Sequence, residues 1–238
     1  MFTTPLVIAT LVAATLGAVI GFLISHGATR PIIARLRAAL ADAVWQLTHD
    51  PLTGLHNRTG LRAIHTATAA SAEPRQLVAM LIDLDLFKEI NDAHSHTAGD
   101  DLLKATAIRI GRLAAFYGGH AARLSGDEFA AIMPLDHGRL TSMAELFTTV
   151  IAEPVEVHAD DGPVTVAITA SLGVAVASST DLLEGVALHY ADMAMYHAKQ
   201  QGGNRHVLHQ PGMTMPGHRP RRGQRLRDRR HAQSGSAE

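Results

Sequence analysis

Apolar and polar positions between residues 50 and 208 alternate between strand-like and helix-like patterns. A short, largely apolar run at 76–82 (QLVAMLI) is typical of a buried strand, and a helix is expected from near residue 86. The remaining elements are a helix at 99–116, a hairpin at 120–133, a helix at 138–152, strands at 154–158 and 164–176, and a helix at 181–201. This order predicts an α/β fold, in the form of an α+β sandwich with helices against a sheet.

The N-terminal region has a different pattern. Residues 5–24 contain no charged side chain, and arginines follow at positions 30, 35 and 37. A run of about 20 apolar residues can cross a membrane, and the arginines place the C-terminal side in the cytoplasm. We therefore expect a single transmembrane anchor at 5–25 in the plasma (inner) membrane. A buried core helix is the alternative interpretation.

The segments that flank the predicted domain carry weaker patterns. Residues 31–48 repeat apolar side chains at spacings of three and four, which predicts a helical stalk and a short coiled coil between two copies of the chain. The same stripe would also suit a helix that lies on the domain. Residues 211–238 are rich in Pro, Gly and Arg and lack apolar periodicity, so we expect a disordered tail there.

Composition narrows the possible functions. The chain has no cysteine, which excludes disulfides, thiolate metal sites and cysteine nucleophiles. Its net charge of −1 conceals an acidic body, because seven of the 21 Lys and Arg residues lie in the last 28 positions. An acidic body does not suit a nucleic-acid-binding protein, whose affinity comes mostly from neutralising phosphates. It suits a protein that binds divalent cations.

Two pairs of carboxylates are candidates for chemistry. Asp83 and Asp85 end the apolar run at 76–82, where an uncompensated carboxylate is unfavourable and a hard cation is the usual compensation. Asp127 and Glu128 follow the Ser-Gly turn of the hairpin. If the two segments are neighbours in one sheet, Asp83 and Asp127 could hold Mg²⁺ between them, an arrangement that serves phosphoryl transfer. Solvated turn carboxylates are the alternative.

Several motifs, in order, resemble the GGDEF family of diguanylate cyclases from about residue 50 to residue 205. They are DPLTGLHNR (50–58), IDLDLFKEINDAHSHTAGDDLL (82–103), RLSGDEFA (123–130), ITASLGVA (168–175) and ADMAMYHAKQQGGNR (191–205). The resemblance implies a fold similar to nucleotidyl cyclases and polymerase palms. It also implies condensation of two GTP into cyclic di-GMP and two pyrophosphates, with Mg²⁺ or Mn²⁺, by a homodimer in which each subunit presents one GTP.

The resemblance assigns roles residue by residue. It implies metal binding by the Asp83 carboxylate, the Leu84 carbonyl and the Asp127 carboxylate, with Glu128 as a further ligand or as the group that activates the 3′-hydroxyl. Guanine would be read by Asn91 and Asp100, and discrimination by such buried polar pairing is worth about 1–3 kcal/mol. The residues expected at the phosphates are Lys88, Ser125, Gly126 and Lys199. Lys88 is also expected to take part in catalysis.

Three positions depart from the family pattern. Ser125 stands where the signature has its first glycine, and it would be strained if that position had a positive φ. Gly203 replaces an arginine that contacts the triphosphate, and losing such a bond costs about 1.5–3 kcal/mol. Residues 116–119 (FYGG) stand where the family has its RxxD product-inhibition site.

The sequence therefore predicts a membrane-anchored diguanylate cyclase without RxxD product inhibition, whose activity is reduced by Ser125 and Gly203. The alternative is a degenerate GGDEF domain that binds GTP, or only dimerises, and regulates a partner without catalysis. Loss of phosphate contacts favours the alternative, whereas the presence of both Asp127 and Glu128 favours the enzyme.

Overall fold

The structure is a computed structural model, and it describes residues 3–70 and 73–215. Its elements, in chain order, are α1 (Thr3–Thr48), α2 (Arg58–Ala69), β1 (Gln76–Leu84), α3 (Phe87–His94), α4 (His96–Phe116), β2 (His120–Ser125), β3 (Glu128–Pro134), α5 (Leu140–Ile151), β4 (Val155–Ala159), β5 (Gly162–Val166), β6 (Ala170–Ser178), a π-helical turn (Leu183–Ala187), α6 (Leu188–Gln200) and β7 (Arg205–Leu208). The predicted α/β fold is confirmed.

A five-stranded sheet in the order β2-β3-β1-β6-β7 forms the centre of the fold, and β4 and β5 form a separate hairpin. Every pair in the larger sheet is antiparallel except β6–β7, which is parallel. β1 is buried along nearly its whole length because it lies between β3 and β6 and has helices on both faces. A strand in that position must be apolar on both faces, which explains the run at 76–82.

The alternation of side chains along each strand supplies two separate cores. One core joins the face of β1 that carries Met80 and Ile82 to α4, α5 and the β4–β5 hairpin, with Phe147 at its centre. The other joins the face that carries Leu81 to α2, the π-helical turn and α6. The domain is therefore three layers deep, with helices on both sides of the sheet.

Two sequence predictions need small revisions. The strand expected at 164–176 is two strands, β5 and β6, which belong to different sheets. The helix expected at 181–201 begins as a π-helical turn and becomes α-helical only at Leu188. The tail expected at 211–238 lies outside the described residues from position 216 onward.

The N-terminal prediction is wrong in its main point. The segments 5–25 and 31–48 form one continuous helix, α1. No helix in the described part of the chain is both long and apolar enough to cross a membrane. The expected transmembrane anchor and the single-pass membrane location are therefore corrected.

Candidate functional site

The site begins with two carboxylates on neighbouring strands. Asp83 of β1 lies directly opposite Glu128 of β3 in the antiparallel register. Residue 81 on β1 and residue 130 on β3 face the core that contains α2 and α6. Since side chains alternate along a strand, Asp83 and Glu128 project from that same face. The pairing brings together two residues that are 45 positions apart in the sequence.

A lysine from α6 completes this group. The Lys199 ammonium lies 2.7 Å from Oδ1 of Asp83, whose side chain is only 16% exposed. Burial raises the pKa of Asp83 above its ordinary value, and the nearby carboxylates of Asp127 and Asp85 act in the same direction against the effect of Lys199. The expected phosphate-facing lysine is thus beside the expected metal ligand.

Glu128 is held by the residue that departs from the family signature. The Ser125 hydroxyl donates to Oε2 of Glu128 at 3.2 Å. Burial raises the pKa of Glu128, and the charges of Asp83 and Asp192 add to this, although Ser125 and Arg58 oppose it. A carboxylate with a raised pKa is a stronger base than an exposed glutamate.

The turn of the hairpin does not strain Ser125. Among the described residues, the non-glycine positions with positive φ are Leu86, Ser95 and Asn204, and Ser125 is not one of them. It ends strand β2 beside a bulge, and the left-handed position is Gly126, with φ of 47°. The glycine requirement therefore falls on the second position of the signature. Asp127 lies in the turn, where its carbonyl accepts a hydrogen bond from the Leu84 N–H at 3.3 Å.

The donor set suits a hard divalent cation. Carboxylate and carbonyl oxygens from Asp83, Leu84, Asp127 and Glu128 are the ligand types that Mg²⁺ takes, usually with substrate phosphates and water completing the octahedron. The pKa of Asp83 is raised chiefly by burial and further by Asp127 and Asp85, and a bound cation would lower it. Within the described residues, no three His, Asp or Glu side chains form a complete metal site by themselves. The oxygen donors at this end of the sheet are of the type that fits a hard divalent cation.

The expected guanine-reading residues lie on α3 and α4. These two helices are joined at Ser95, which has φ of 128° and whose side chain accepts from the Ala98 N–H. Asn91 is packed so closely over Gly99 that a Cβ at position 99 would overlap its Oδ1. Asp100 follows Gly99 and is exposed. Because Asn91 packs over Gly99, it lies beside the residue that precedes Asp100 in the sequence.

Lys88 lies in the first turn of α3 and is exposed. The helix starts after Leu86, which is left-handed with φ of 58° and 71% exposed. Because α3 begins just beyond the end of β1, Lys88 lies at the same end of the sheet as Asp83. Among the described contacts, none joins Lys88, Asn91 or Asp100 to the carboxylates, so the structure does not bring these three residues into that group.

Two further residues matter although the motifs assigned them no role. Asp50 and Arg123 form an ion pair at 3.1 Å, with side chains 19% and 13% exposed. Arg123 also donates to the Gly126 carbonyl at 2.9 Å. Burial alone would raise the pKa of Asp50, but hydrogen bonds from Thr53 and Arg123 hold it below its ordinary value. The pair fastens the segment after α1 to the signature hairpin, and only the tertiary structure reveals it.

The closing motif contains the second departure from the family. Gly203 has φ of 72°, and Arg205 donates to the Gly203 carbonyl at 3.1 Å and to Gln201 at 3.4 Å. The guanidinium of Arg205 is therefore engaged by its own turn, and the structure does not place it in the role of the missing arginine.

The third departure lies between α4 and β2. Gly118 has φ of 73°, and a Cβ at Gly119 would overlap the Ile132 carbonyl oxygen. This turn is built around its glycines, and an aspartate does not fit at position 119 without a shift of the backbone.

Comparison with known proteins agrees with this geometry. The family model described as "Diguanylate cyclase, GGDEF domain" matches residues 47–205. Diguanylate cyclase TpbB from Pseudomonas aeruginosa is 38% identical over 173 residues, which cover 71% of this chain and 39% of that protein. An uncharacterized signaling protein from Caulobacter vibrioides is 36% identical over 171 residues, 70% of this chain and 20% of that protein. The chain thus spans well under half the length of these relatives.

A solved structure of a GGDEF domain is also similar to this chain. The coiled coil and GGDEF domain of DgcB from Caulobacter crescentus, in complex with c-di-GMP, superposes with a TM-score of 0.67 at 29% identity. The match covers 76% of this chain and 95% of that one.

Proposed function

Since this chain belongs to the GGDEF family, we propose that it is a diguanylate cyclase that condenses two GTP molecules into cyclic di-GMP. The observation that carries the proposal is the group formed by Asp83, Glu128 and Lys199. Two partly buried carboxylates face each other across β1 and β3, and an ammonium lies 2.7 Å from one of them. This combination suits a site that binds a cation together with a polyphosphate.

Metal binding falls to the oxygen donors at the end of the sheet. Mg²⁺ or Mn²⁺ would be held by Asp83, Asp127 and the Leu84 carbonyl, with Glu128 either as a further ligand or as the group that activates the 3′-hydroxyl. When bound, the metal would neutralise triphosphate charge and polarise the α-phosphate. The ammonium of Lys199 would then be available to the phosphates, as would Lys88, the Ser125 hydroxyl and the backbone of Gly126.

The reaction joins two nucleotides. The 3′-oxygen of one GTP forms a bond to the α-phosphorus of the other, and the bond from that phosphorus to the bridging oxygen breaks to release pyrophosphate. The hydroxyl proton leaves to a base, and Glu128 suits this role because burial raises its pKa. Asn91 and Asp100 would hold guanine, since a carboxylate and an amide can accept and donate at its edge. Each subunit of a homodimer would supply one GTP.

The test is chromatography of the products that the full chain forms from GTP and Mg²⁺. We expect cyclic di-GMP from the wild type and none from the Asp127→Ala, Glu128→Ala double variant. Absence of product from a preparation that is folded and dimeric would contradict the proposal.

Two observations favour a second candidate, a non-catalytic GTP-binding or dimerising module. Position 203 carries no arginine, and Arg205 is bonded to its own turn. In that case the folded chain binds GTP with Mg²⁺ in equilibrium dialysis but releases no pyrophosphate. Pyrophosphate release coupled to cyclic di-GMP would contradict this candidate.

We further expect no product inhibition through the position of the RxxD site. The turn at 116–119 offers neither arginine nor aspartate. Initial rates should therefore be the same with and without added micromolar cyclic di-GMP, and a fall in rate would show that another inhibitory site exists.

A further inference from the structure

Asp85 is a carboxylate of the first motif that the proposed reaction does not use. Its Oδ1 accepts from the Ser171 hydroxyl at 2.7 Å. Its Oδ2 accepts from the Thr169 hydroxyl at 2.7 Å and from the backbone N–H of Asn204 at 2.9 Å. Both oxygens are therefore bound by protein donors, and those donors come from two segments that are more than 80 positions away in sequence.

The Asn204 N–H belongs to the turn that ends α6. Gly202, Gly203 and Asn204 all have positive φ, at 101°, 72° and 49°. The Gly203 N–H donates to the Ala198 carbonyl at 3.1 Å and closes the last turn of the helix. A Cβ at Gly203 would lie 2.9–3.0 Å from the Asp85 carboxylate atoms. The turn and the carboxylate are thus packed directly against each other.

This turn is adjacent to a residue of the site. Lys199 is in the last turn of α6, and its ammonium lies 2.7 Å from Asp83. Asp83 and Asp85 are two positions apart at the end of β1. One strand end therefore carries both the carboxylate that Lys199 contacts and the carboxylate that holds the end of its helix.

We propose that Asp85 is a positioning residue, which fastens the turn at 202–204 to the end of β1 and so holds Lys199 at Asp83, where the triphosphate binds. The inference rests on the proposed function for the role of Lys199. It assigns Asp85 no metal, since its two oxygens are already engaged by Ser171, Thr169 and Asn204.

The test uses Asp85→Asn in the full chain, because the amide keeps the shape but one of its terminal atoms can no longer accept a hydrogen bond. Hydrogen exchange followed by mass spectrometry reports on the turn. We expect exchange at residues 202–205 to accelerate about tenfold, as it does when a local hydrogen bond is lost, with little change in β3 or α4. Unchanged exchange in the turn would overturn the proposal.

A double-mutant cycle with Lys199→Ala tests the link to function. Asp85→Asn should lower cyclic di-GMP formation about tenfold when Lys199 is present and less than about twofold when it is absent. Equal losses in both backgrounds would overturn the proposal, because Asp85 would then act independently of Lys199. Asp136→Asn is the matched control, since Asp136 also holds a turn, through the Gly138 N–H, but lies on the segment between β3 and α5.

Failure of the proposed function and failure of the role of Asp85 give different results. If the wild type forms no cyclic di-GMP, the proposed function fails. The same double-mutant cycle is then measured through the dissociation constant for GTP with Mg²⁺. Additive effects of the two substitutions on that constant would overturn the role of Asp85. If Asp85→Asn does not fold, Thr169→Val removes one donor and leaves the carboxylate in place. It should then give the same pattern with a smaller effect, and the absence of any coupling to Lys199 would overturn the proposal.

Discussion

Single residues at the candidate site are explained by burial and local donors. Asp83 and Glu128 both have raised pKa values because they are partly buried and lie near other carboxylates. Lys199 and Ser125 each supply one compensating contact. Ser125 therefore takes part in the site although it departs from the signature, and its backbone has no strain for a glycine to relieve.

The first prediction concerns Ser125. Replacement by glycine removes one hydrogen bond to Glu128, so turnover should fall, by about threefold, which is the rate equivalent of a weak, partly exposed hydrogen bond. The measurement is the initial rate of cyclic di-GMP formation, with Ser125→Ala as the matched control that loses the same hydroxyl. A tenfold gain for the glycine variant alone would mean that the serine backbone is strained after all.

At the scale of elements, two close contacts join segments that carry site residues. The Asp50–Arg123 pair joins the segment after α1 to the hairpin of β2 and β3. The packing of Asn91 over Gly99 joins α3 to α4. Each contact joins two elements that carry site residues, so a small change of side chain at either contact should affect the site.

Asp50→Asn should lower the free energy of unfolding by about 1.5–3 kcal/mol at pH 7, because the partly buried Arg123 loses a charged partner. The pKa of Asp50 is lowered in the folded state. Its contribution is therefore complete above the unfolded pKa of about 3.9 and is lost as the pH falls through the folded value. Denaturant unfolding of both proteins from pH 7 to about pH 2 measures this convergence, which begins only below about pH 4.

The control for this change is Glu184→Gln, which removes an exposed ion pair with Arg62. We expect it to alter stability by less than about 1 kcal/mol. A constant difference between Asp50→Asn and wild type at every pH would contradict the assignment.

Gly99→Ala should raise the KM for GTP, because the new methyl group must displace the Asn91 side chain. A loss of one nucleobase hydrogen bond corresponds to roughly a tenfold change. Steady-state kinetics against GTP measure it. Gly185→Ala is the control, since a Cβ there meets only ordinary contacts at 3.5–3.6 Å. An unchanged KM would show that Asn91 does not read guanine from this position.

At the scale of the whole molecule, α1 carries an exposed apolar stripe. Ile33, Leu36, Leu40 and Leu47 lie at coiled-coil spacing and are 46–69% exposed. A second copy of the chain would cover them, and the condensation of two GTP requires two active sites to face each other. The apolar stripe and the proposed reaction thus both favour a dimer of two copies of the chain.

Leu40→Glu should weaken dimerisation at least about tenfold, since burying a leucine is worth roughly 1.5–3 kcal/mol. Sedimentation equilibrium measures the dissociation constant of the dimer. The specific activity of the Leu40→Glu variant should then rise with protein concentration. Ala38→Glu places the same charge on the other side of the helix and should leave the dimer unchanged. Equal dimerisation of the two variants would show that this stripe is not the interface.

The sequence by itself determined the family, the order of most elements and the identity of the candidate ligands, because each motif is a local pattern of spacing and turn residues. It also predicted that Asp83 ends a buried strand, since a carboxylate after an apolar run is a local signal. The pairing of Asp83 with Glu128 required the register of β1 and β3.

Only the tertiary structure decided the rest. The contacts of Asp85 with Thr169 and of Arg123 with Asp50 join residues 84 and 73 positions apart, and no local pattern encodes such pairs. The membrane anchor was predicted from the uncharged run at 5–24 and the arginines that follow it, and no helix in the described part of the chain is long and apolar enough to cross a membrane. The physical reason is that the spacing of residues along the sequence determines which face of its own helix or strand a residue lies on. The residue that it contacts depends on how the helices and strands pack together.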